Sequence, residues 1–220
     1  MRGASAEHEL AAGFVLAGGE SRRMGRNKAL AEFAGEPLIL RALKLLRDAG
    51  LRPRIAGARA ELGQFAPVIA DAEPGRGPLA GVCAALAFCQ DPRAVFVPVD
   101  LPLLPASLLS LLATRAAITG AIVTVLSVSG VAQTFPAVVD RAALPGLEEA
   151  LRQGRGGCYS AFEAAVLGLR QHIAVLPIEY LAQAGQVTHP DSLPPAIWFL
   201  NVNSPADLAR AEAVVLPAVA

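Results

Sequence analysis

Residues 16–28 read LAGGESRRMGRNK, and the order of chemistry in this stretch organises the whole chain. An apolar run, Phe14 to Leu16, has the character of a buried strand end. Gly18 and Gly19 follow it at once, then Ser21, Arg22, Arg23, Gly25, Arg26 and Lys28. Glycine backbone approaches a ligand closely and reaches conformations with φ > 0. Successive N–H groups in such a loop form a concavity that attracts anions, and four cationic side chains strengthen that field. Taken singly, a Gly-Gly pair is an ordinary turn and an Arg-Arg pair an ordinary solvated face. Their fixed order after a strand points instead to an α/β fold with a polyphosphate loop at its rim.

Working outward, Pro37 opens a helix that runs to Ala49 and stops at Gly50. Leu38, Ala42, Leu45 and Ala49 share one side of it, widened by Ile39, Leu43 and Leu46, while Arg41, Lys44 and Asp48 fall elsewhere. Short strands are predicted over 54–57 and 68–70. An apolar helix spans Leu79 to Cys89, led in by GRGP. The run AVFVPV, Ala94 to Val99, is the central-strand candidate, with Pro98 where the ladder is ending, since proline cannot donate to it. A helix over 105–114, strands over 122–128 and 135–139 around Gly130, helices over 144–152 and 160–169, and a strand over 172–176 follow. The loop bearing Pro177, Pro190, Pro194 and Pro195 leads to a short strand over 197–200. Ser204, Pro205 and Asp207 open the last helix in the manner of a capping box. This alternation predicts a three-layer α/β/α sandwich on a mostly parallel, Rossmann-like sheet. Residues 1–10 read as a frayed tail without the apolar region of a signal peptide, and 11–220 as one domain.

The 220 residues suffice for one domain with a sizeable core. Hydrophobic residues reach 54% against 17% charged, which fits a buried parallel sheet and not a disordered chain. Lys plus Arg and Asp plus Glu number 19 each, so the chain lacks the basic excess of a nucleic-acid or membrane-surface protein. The uncharged stretch Ala116–Val139 is long enough to span a membrane. Gly120, Ser127, Ser129, Gly130, Gln133, Thr134 and Pro136 interrupt it, as strands joined by a turn would require. Cys83, Cys89 and Cys158 show no CxxC spacing, and His8, His172 and His189 no metal-ligand spacing. The chain reads as cytoplasmic and reduced.

Ligands of open α/β sheets bind beyond the carboxyl ends of the strands. Two further segments fall there, and another opens a helix. Asp100, in PVDLPLLP, follows the central strand. A carboxylate at that position, opposite a cationic loop, suits Mg²⁺, which takes one or two carboxylates and completes its shell with phosphate oxygens and water. A turn aspartate ahead of Pro102 would look the same. Asn201 and Asn203, in FLNVNSP, are candidates for a polar pocket or for turn and cap chemistry. In DAEPGRGPLAG, residues 71–81, Gly77, Pro78 and Gly81 set a tight turn at a helix N-terminus, where free N–H groups favour anions.

Together these segments resemble the molybdenum cofactor guanylyltransferases of the MobA-like nucleotidyltransferase family. That family carries LAGGxSxRMGxxK, GPLAG, a DxP at a strand end, and NxNxP before the final helix. The matching residues here are Leu16 to Lys28, Gly77 to Gly81, Asp100-Leu101-Pro102, and Asn201 to Pro205. The resemblance implies transfer of GMP from GTP to the terminal phosphate of molybdopterin, with Mg²⁺ as cofactor. It implies that Leu16, Ala17, Gly18, Gly19, Gly77, Pro78 and Leu79 surround the nucleotide. Arg23 and Lys28 would bind its phosphates, Asp71 would touch the nucleoside, and Asp100 would hold the metal. Arg23, Lys28 and Asp100 are then the catalytic set, and Asn201, Asn203 and Arg155 line the pterin side. It also implies a monomer, in transient contact with molybdoenzyme maturation proteins.

Three departures stand out. Asn27 occupies the position where an acid commonly precedes the signature lysine. GRGGCYS, residues 154–160, lacks paired basic residues. The stretch from Pro177 to Pro195 is long. Two rivals remain. A sister nucleotidyltransferase would use CTP or a sugar phosphate, although LAAG is the commoner loop there. A dinucleotide-dependent oxidoreductase is the other, since GRGPLA at 75–80 fits G-x-G-x-x-A; Pro78 inside the turn, and its distance from the first strand, count against it.

Overall fold

The computed structural model describes residues 11–18, 27–57, 60–71, 75–154 and 157–215. Its strands are β1 (Ala12–Leu16), β2 (Glu32–Phe33), β3 (Glu36–Pro37), β4 (Arg52–Ala56), β5 (Val68–Ile69), β6 (Arg93–Pro98), β7 (Val123–Val128), β8 (Val131–Asp140) and β9 (Ala174–Pro177). Its helices are α1 (Leu38–Asp48), α2 (Pro78–Phe88), α3 (Ala106–Thr119), α4 (Leu144–Arg152), α5 (Cys158–Gly168), α6 (Ile178–Gln183), α7 (Pro195–Trp198) and α8 (Pro205–Val215). Seven strands form one sheet in the order β5-β4-β1-β6-β8-β7-β9. Neighbours pair in parallel except at β8, which runs antiparallel to both β6 and β7.

The period-2 alternation of the strands divides two cores. Phe14 and Leu16 of β1, with Ala94 and Phe96 of β6, face α2, α4 and α5 through Val82, Leu86, Leu147 and Phe162. Val15, Val95 and Val97 point the other way, onto Leu43 and Leu46 of α1 and Leu108 and Leu112 of α3. Strands apolar on both faces read as continuous hydrophobic runs, as parallel strands covered on both sides must. The three-layer, mostly parallel α/β/α architecture expected from the alternation is the one found.

Several boundaries differ from expectation. The 105–114 helix continues to Thr119, so the first residues of the uncharged stretch are helical and not extended. The 135–139 strand starts at Val131, across a two-residue turn whose Ser129 and Gly130 both have φ > 0, at 51° and 76°. That is the turn chemistry that suits a twisted hairpin. Opposite consecutive Val125 and Leu126 of β7 stand Ala137 and Gln133, so Thr134 to Pro136 bulge out of the ladder. The predicted strand over 197–200 is instead the single helical turn α7: Ile197 N–H closes onto Pro194 O at 2.9 Å, and Trp198 Nε1 onto Leu193 O at 2.7 Å. Four apolar residues carry too little periodicity to separate the two. The Glu32–Pro37 hairpin and α6 were not anticipated. At the start of α8, Ser204 Oγ and Asp207 bond reciprocally, and Asp207 also accepts the Asn203 N–H at 3.2 Å. The capping box is therefore present.

Candidate active site

Because β5, β4, β1 and β6 are adjacent and parallel, their carboxyl ends share one rim. Asp71 follows β5, Gly57 follows β4, Gly18 follows β1 and Asp100 follows β6. Backbone bonds lock the ends together: Ala17 N–H to Ala56 O at 3.1 Å, Gly57 N–H to Ile69 O at 3.0 Å, and Val99 N–H to Leu16 O at 3.2 Å. The rule that places ligands beyond strand ends therefore gathers segments from four parts of the chain.

Lys28 lies at the centre of the polar contacts. Residues 28–30 form a short 3₁₀ turn, fixed by Asn27, whose side chain accepts the Ala29 N–H at 3.1 Å and donates to Glu61 at 3.0 Å. Asn27 thus caps this turn in the position expected to hold an acid. From it, Lys28 Nζ reaches Asp100 Oδ2 and Asn203 Oδ1, each at 2.5 Å. The Lys28 and Asp100 side chains are only 15% and 18% exposed, so this is a sheltered pair at the rim and not a solvated one. Val202 N–H in turn donates to Asp100 O at 2.9 Å, which clamps the NVN segment against the Asp100 turn. Asn201 lies exposed beside it.

Two carboxylate oxygens are buried without a hydrogen-bond partner among the described residues: Asp100 Oδ1 and Asp71 Oδ1. Buried acceptors are normally satisfied, so each has capacity for a ligand. Burial alone pushes the Asp71 carboxyl above the usual carboxylate range. No group of three His, Cys, Asp or Glu side chains that could cage a metal occurs among the described residues. An orphaned oxygen on one or two carboxylates is nevertheless the donor set that Mg²⁺ uses when phosphates supply the remaining ligands. The residues present fit that ion.

Leu16 and Ala17 are buried and Gly18 is exposed at the end of β1. Gly77 precedes the first turn of α2, with φ 75°, Pro78 at its start and Leu79 buried. Gly19, Arg23 and Arg155, named above as nucleotide, catalytic and pterin-side candidates, lie outside the described residues, as do Arg22 and Arg26. Two further glycines pack closely at the rim. A Cβ on Gly57, whose φ is 143°, would stand 3.0 Å from Gly18 N and 3.3 Å from Gly18 Cα. A Cβ on Gly81 would meet Asp71 Oδ1 at 3.3 Å. Gly81 was legible as the last letter of GPLAG; nothing local marks Gly57.

Cys83, Cys89 and Cys158 are free and buried. Burial pushes the Cys83 and Cys158 thiols up to about 12, which excludes a nucleophilic thiolate at neutral pH. No helix among the described residues is long and apolar enough to cross a membrane.

Comparison with known proteins gives the family. The model of the MobA-like NTP transferase domain matches residues 13–170. Molybdenum cofactor guanylyltransferase of Rhodobacter capsulatus is 33% identical over 209 residues, which cover 91% of this chain and 94% of that one. The same-named protein of Xanthomonas euvesicatoria is 46% identical over 99 residues, a segment covering 44% of this chain and 50% of that one. In fold, the chain is similar to the crystal structure of molybdopterin-guanine dinucleotide biosynthesis protein A from Archaeoglobus fulgidus. The TM-score is 0.74 at 24% identity, over 92% of this chain and 97% of that one. The chain belongs to the MobA-like NTP transferase family and is a nucleotidyltransferase.

Proposed function

We propose that this protein transfers GMP from GTP to the terminal phosphate of molybdopterin and releases pyrophosphate. The observation that carries the reading is the Lys28 ammonium held between Asp100 and Asn203 at the strand-end rim. It is supported by the guanylyltransferase names of relatives aligned over nine-tenths of the chain. Gly18, Gly19, Gly77, Pro78 and Leu79 cradle the nucleotide, Asp71 contacts the nucleoside, and Arg23 and Lys28 take the phosphates. Asn201, Asn203 and Arg155 face the pterin. The enzyme works as a single-domain, cytoplasmic monomer.

The acceptor is a phosphate monoester with a second pKa of about 6, so it is largely dianionic at pH 7. It needs no general base. In-line attack on the α-phosphorus expels pyrophosphate, and catalysis reduces to positioning and charge neutralisation. Mg²⁺, when bound, polarises the α-phosphate and offsets charge on the oxygens around it. Asp100 would hold that ion through its orphaned oxygen, and Asp71 is close enough to Gly18 to shape the same pocket. Lys28, bonded to Asp100 without the nucleotide, would turn its charge to the leaving pyrophosphate.

The test is incubation with Mg²⁺, molybdopterin and each nucleoside triphosphate in turn, with mass spectrometry of the product. We expect a guanine dinucleotide of molybdopterin and pyrophosphate from GTP alone. A cytosine product, or turnover only with a sugar phosphate, would overturn the base or acceptor assignment.

A further inference from the structure

The loop that carries Asp100 leaves β6 and crosses to α3, and three of its carbonyls are held from three different parts of the chain. Asp100 O accepts from Val202 N–H at 2.9 Å, Pro102 O from Arg41 Nε–H at 2.6 Å, and Leu103 O lies 3.2 Å from His189 Nε2. The tautomer of His189 follows from its other nitrogen. Asp191 N–H donates to Nδ1 at 3.0 Å, so Nδ1 carries no proton and Nε2 is the donor to Leu103 O. Both donors are themselves fixed. The Arg41 guanidinium lies 4.8 Å above the Phe33 ring, and the His189 ring, buried, sits 6.0 Å from that of Trp198.

Leu101, Leu103 and Leu104 are also buried and hold the loop against the core. Apolar contact is non-directional, so it sets the depth of the loop but not the rotation of its peptide planes. A solvent-open pocket of about 250 Å³ also lies on that side, between α1, the Leu101–Ala106 segment and the 189–191 turn. There, directional hydrogen bonds are what orients the backbone. Neither Arg41 nor His189 belongs to any of the sequence motifs of the rim, and His189 comes from the long 177–195 stretch that otherwise has no assigned role.

We propose that Arg41 and His189 are positioning residues, which set the direction of the Asp100 carboxylate through the carbonyls of Pro102 and Leu103 without touching substrate. This rests on the reading that Asp100 holds the divalent cation. A misplacement of 1 Å can cost about a hundredfold in rate; loss of one of two ties should cost about tenfold in cation affinity and in kcat.

The test uses the full chain with GTP and Mn²⁺, counting bound Mn²⁺ by electron paramagnetic resonance alongside kcat, KM for GTP and melting temperature. Arg41→Met keeps the aliphatic stem but removes the donor and the guanidinium over Phe33; His189→Leu removes both ring hydrogen bonds. We expect weaker Mn²⁺ binding and lower kcat in each, with KM for GTP little changed. His189→Gln, which can still donate to Leu103 O, should recover most of the loss. Should Arg41→Met fail to fold, Arg41→Lys keeps charge and bulk, moves the donor off Pro102, and should show the same weakening. Lower melting temperature with unchanged Mn²⁺ affinity would overturn the proposal, because that is the signature of a purely structural role. Asp100→Asn separates the two ideas. If it abolishes Mn²⁺ binding while the Arg41 and His189 variants bind normally, the positioning role fails alone. If it binds Mn²⁺ like the wild type, the underlying assignment of Asp100 fails, and the proposal with it.

Discussion

Replacing Lys28 by Met should weaken both folding and catalysis, for separable reasons. Lys28 Nζ sits 2.5 Å from Asp100 Oδ2, and both side chains are less than a fifth exposed. Asp100 Oδ1 already lacks a partner among the described residues. Removing the ammonium takes away the cation that faces this sheltered carboxylate, a loss of about 1–3 kcal/mol. Asp100→Asn removes the same attraction from the other side. The double variant therefore loses less than the sum of the two, and the coupling should be about 1–3 kcal/mol, within the range for residues in contact. Urea denaturation of the four proteins measures it. Catalysis should fall in each single variant by about 2–4 kcal/mol, the cost of one preorganised charge, or roughly 30- to 900-fold in turnover. Additive stabilities would show that the pair is not formed in solution. Wild-type turnover in Lys28→Met would remove the lysine from the mechanism whatever the stability data say.

Gly57→Ala forces a side chain into a φ of 143° and towards the Gly18 backbone at 3.0 Å; we expect about 1–3 kcal/mol of destabilisation and a raised KM for GTP, and an unchanged KM would dissociate Gly57 from the nucleotide loop. Asp71 has its pKa raised by burial, so its neutral form is favoured on folding, and the stability it contributes is present below the unfolded carboxyl pKa of about 4 and lost as pH rises through the folded value. Asp71→Asn should accordingly melt above the wild type at pH 7, with the gap closing on acidification to about pH 4; a gap independent of pH would contradict the burial argument. With Cys83 and Cys158 pushed up to about 12, aromatic disulfide reagents at pH 8 should leave both thiols unmodified in the native enzyme and titrate all three cysteines after unfolding; rapid native labelling of either would show that its pocket opens.

What could be read from the residue order, and what could not, divides along a physical line. Strand ends were legible wherever an apolar run met glycine or aspartate, as at Leu16-Ala17-Gly18 and Val99-Asp100, because burial and turn chemistry are local properties. Pro98 was correctly expected at a strand terminus for the same reason. Complementary charge made the meeting of Lys28 and Asp100 a natural expectation, and the structure brings them into contact. Asn203 on the same ammonium was not foreseen, since its cap chemistry and its contact with Lys28 look alike in one dimension. Gly57 was invisible because its constraint is a neighbouring strand's backbone. The 197–200 run was misread because Pro194 and Trp198, not apolar spacing, decide its shape. Arg41 looked like one more solvated helix residue. Its partner, Pro102 O, is a backbone group that no side-chain pattern announces.

The placement of β1 between β4 and β6 has a consequence for the order of assembly. Ala12 pairs with Arg52 on one side and with Ala94 on the other. During synthesis the strand that leads into the glycine loop gains its first neighbour only after residue 56 has been made and its second only after residue 98. Contacts so distant along the chain form slowly. A growing polypeptide must therefore keep this strand, apolar on both faces, unseated until β6 has been made.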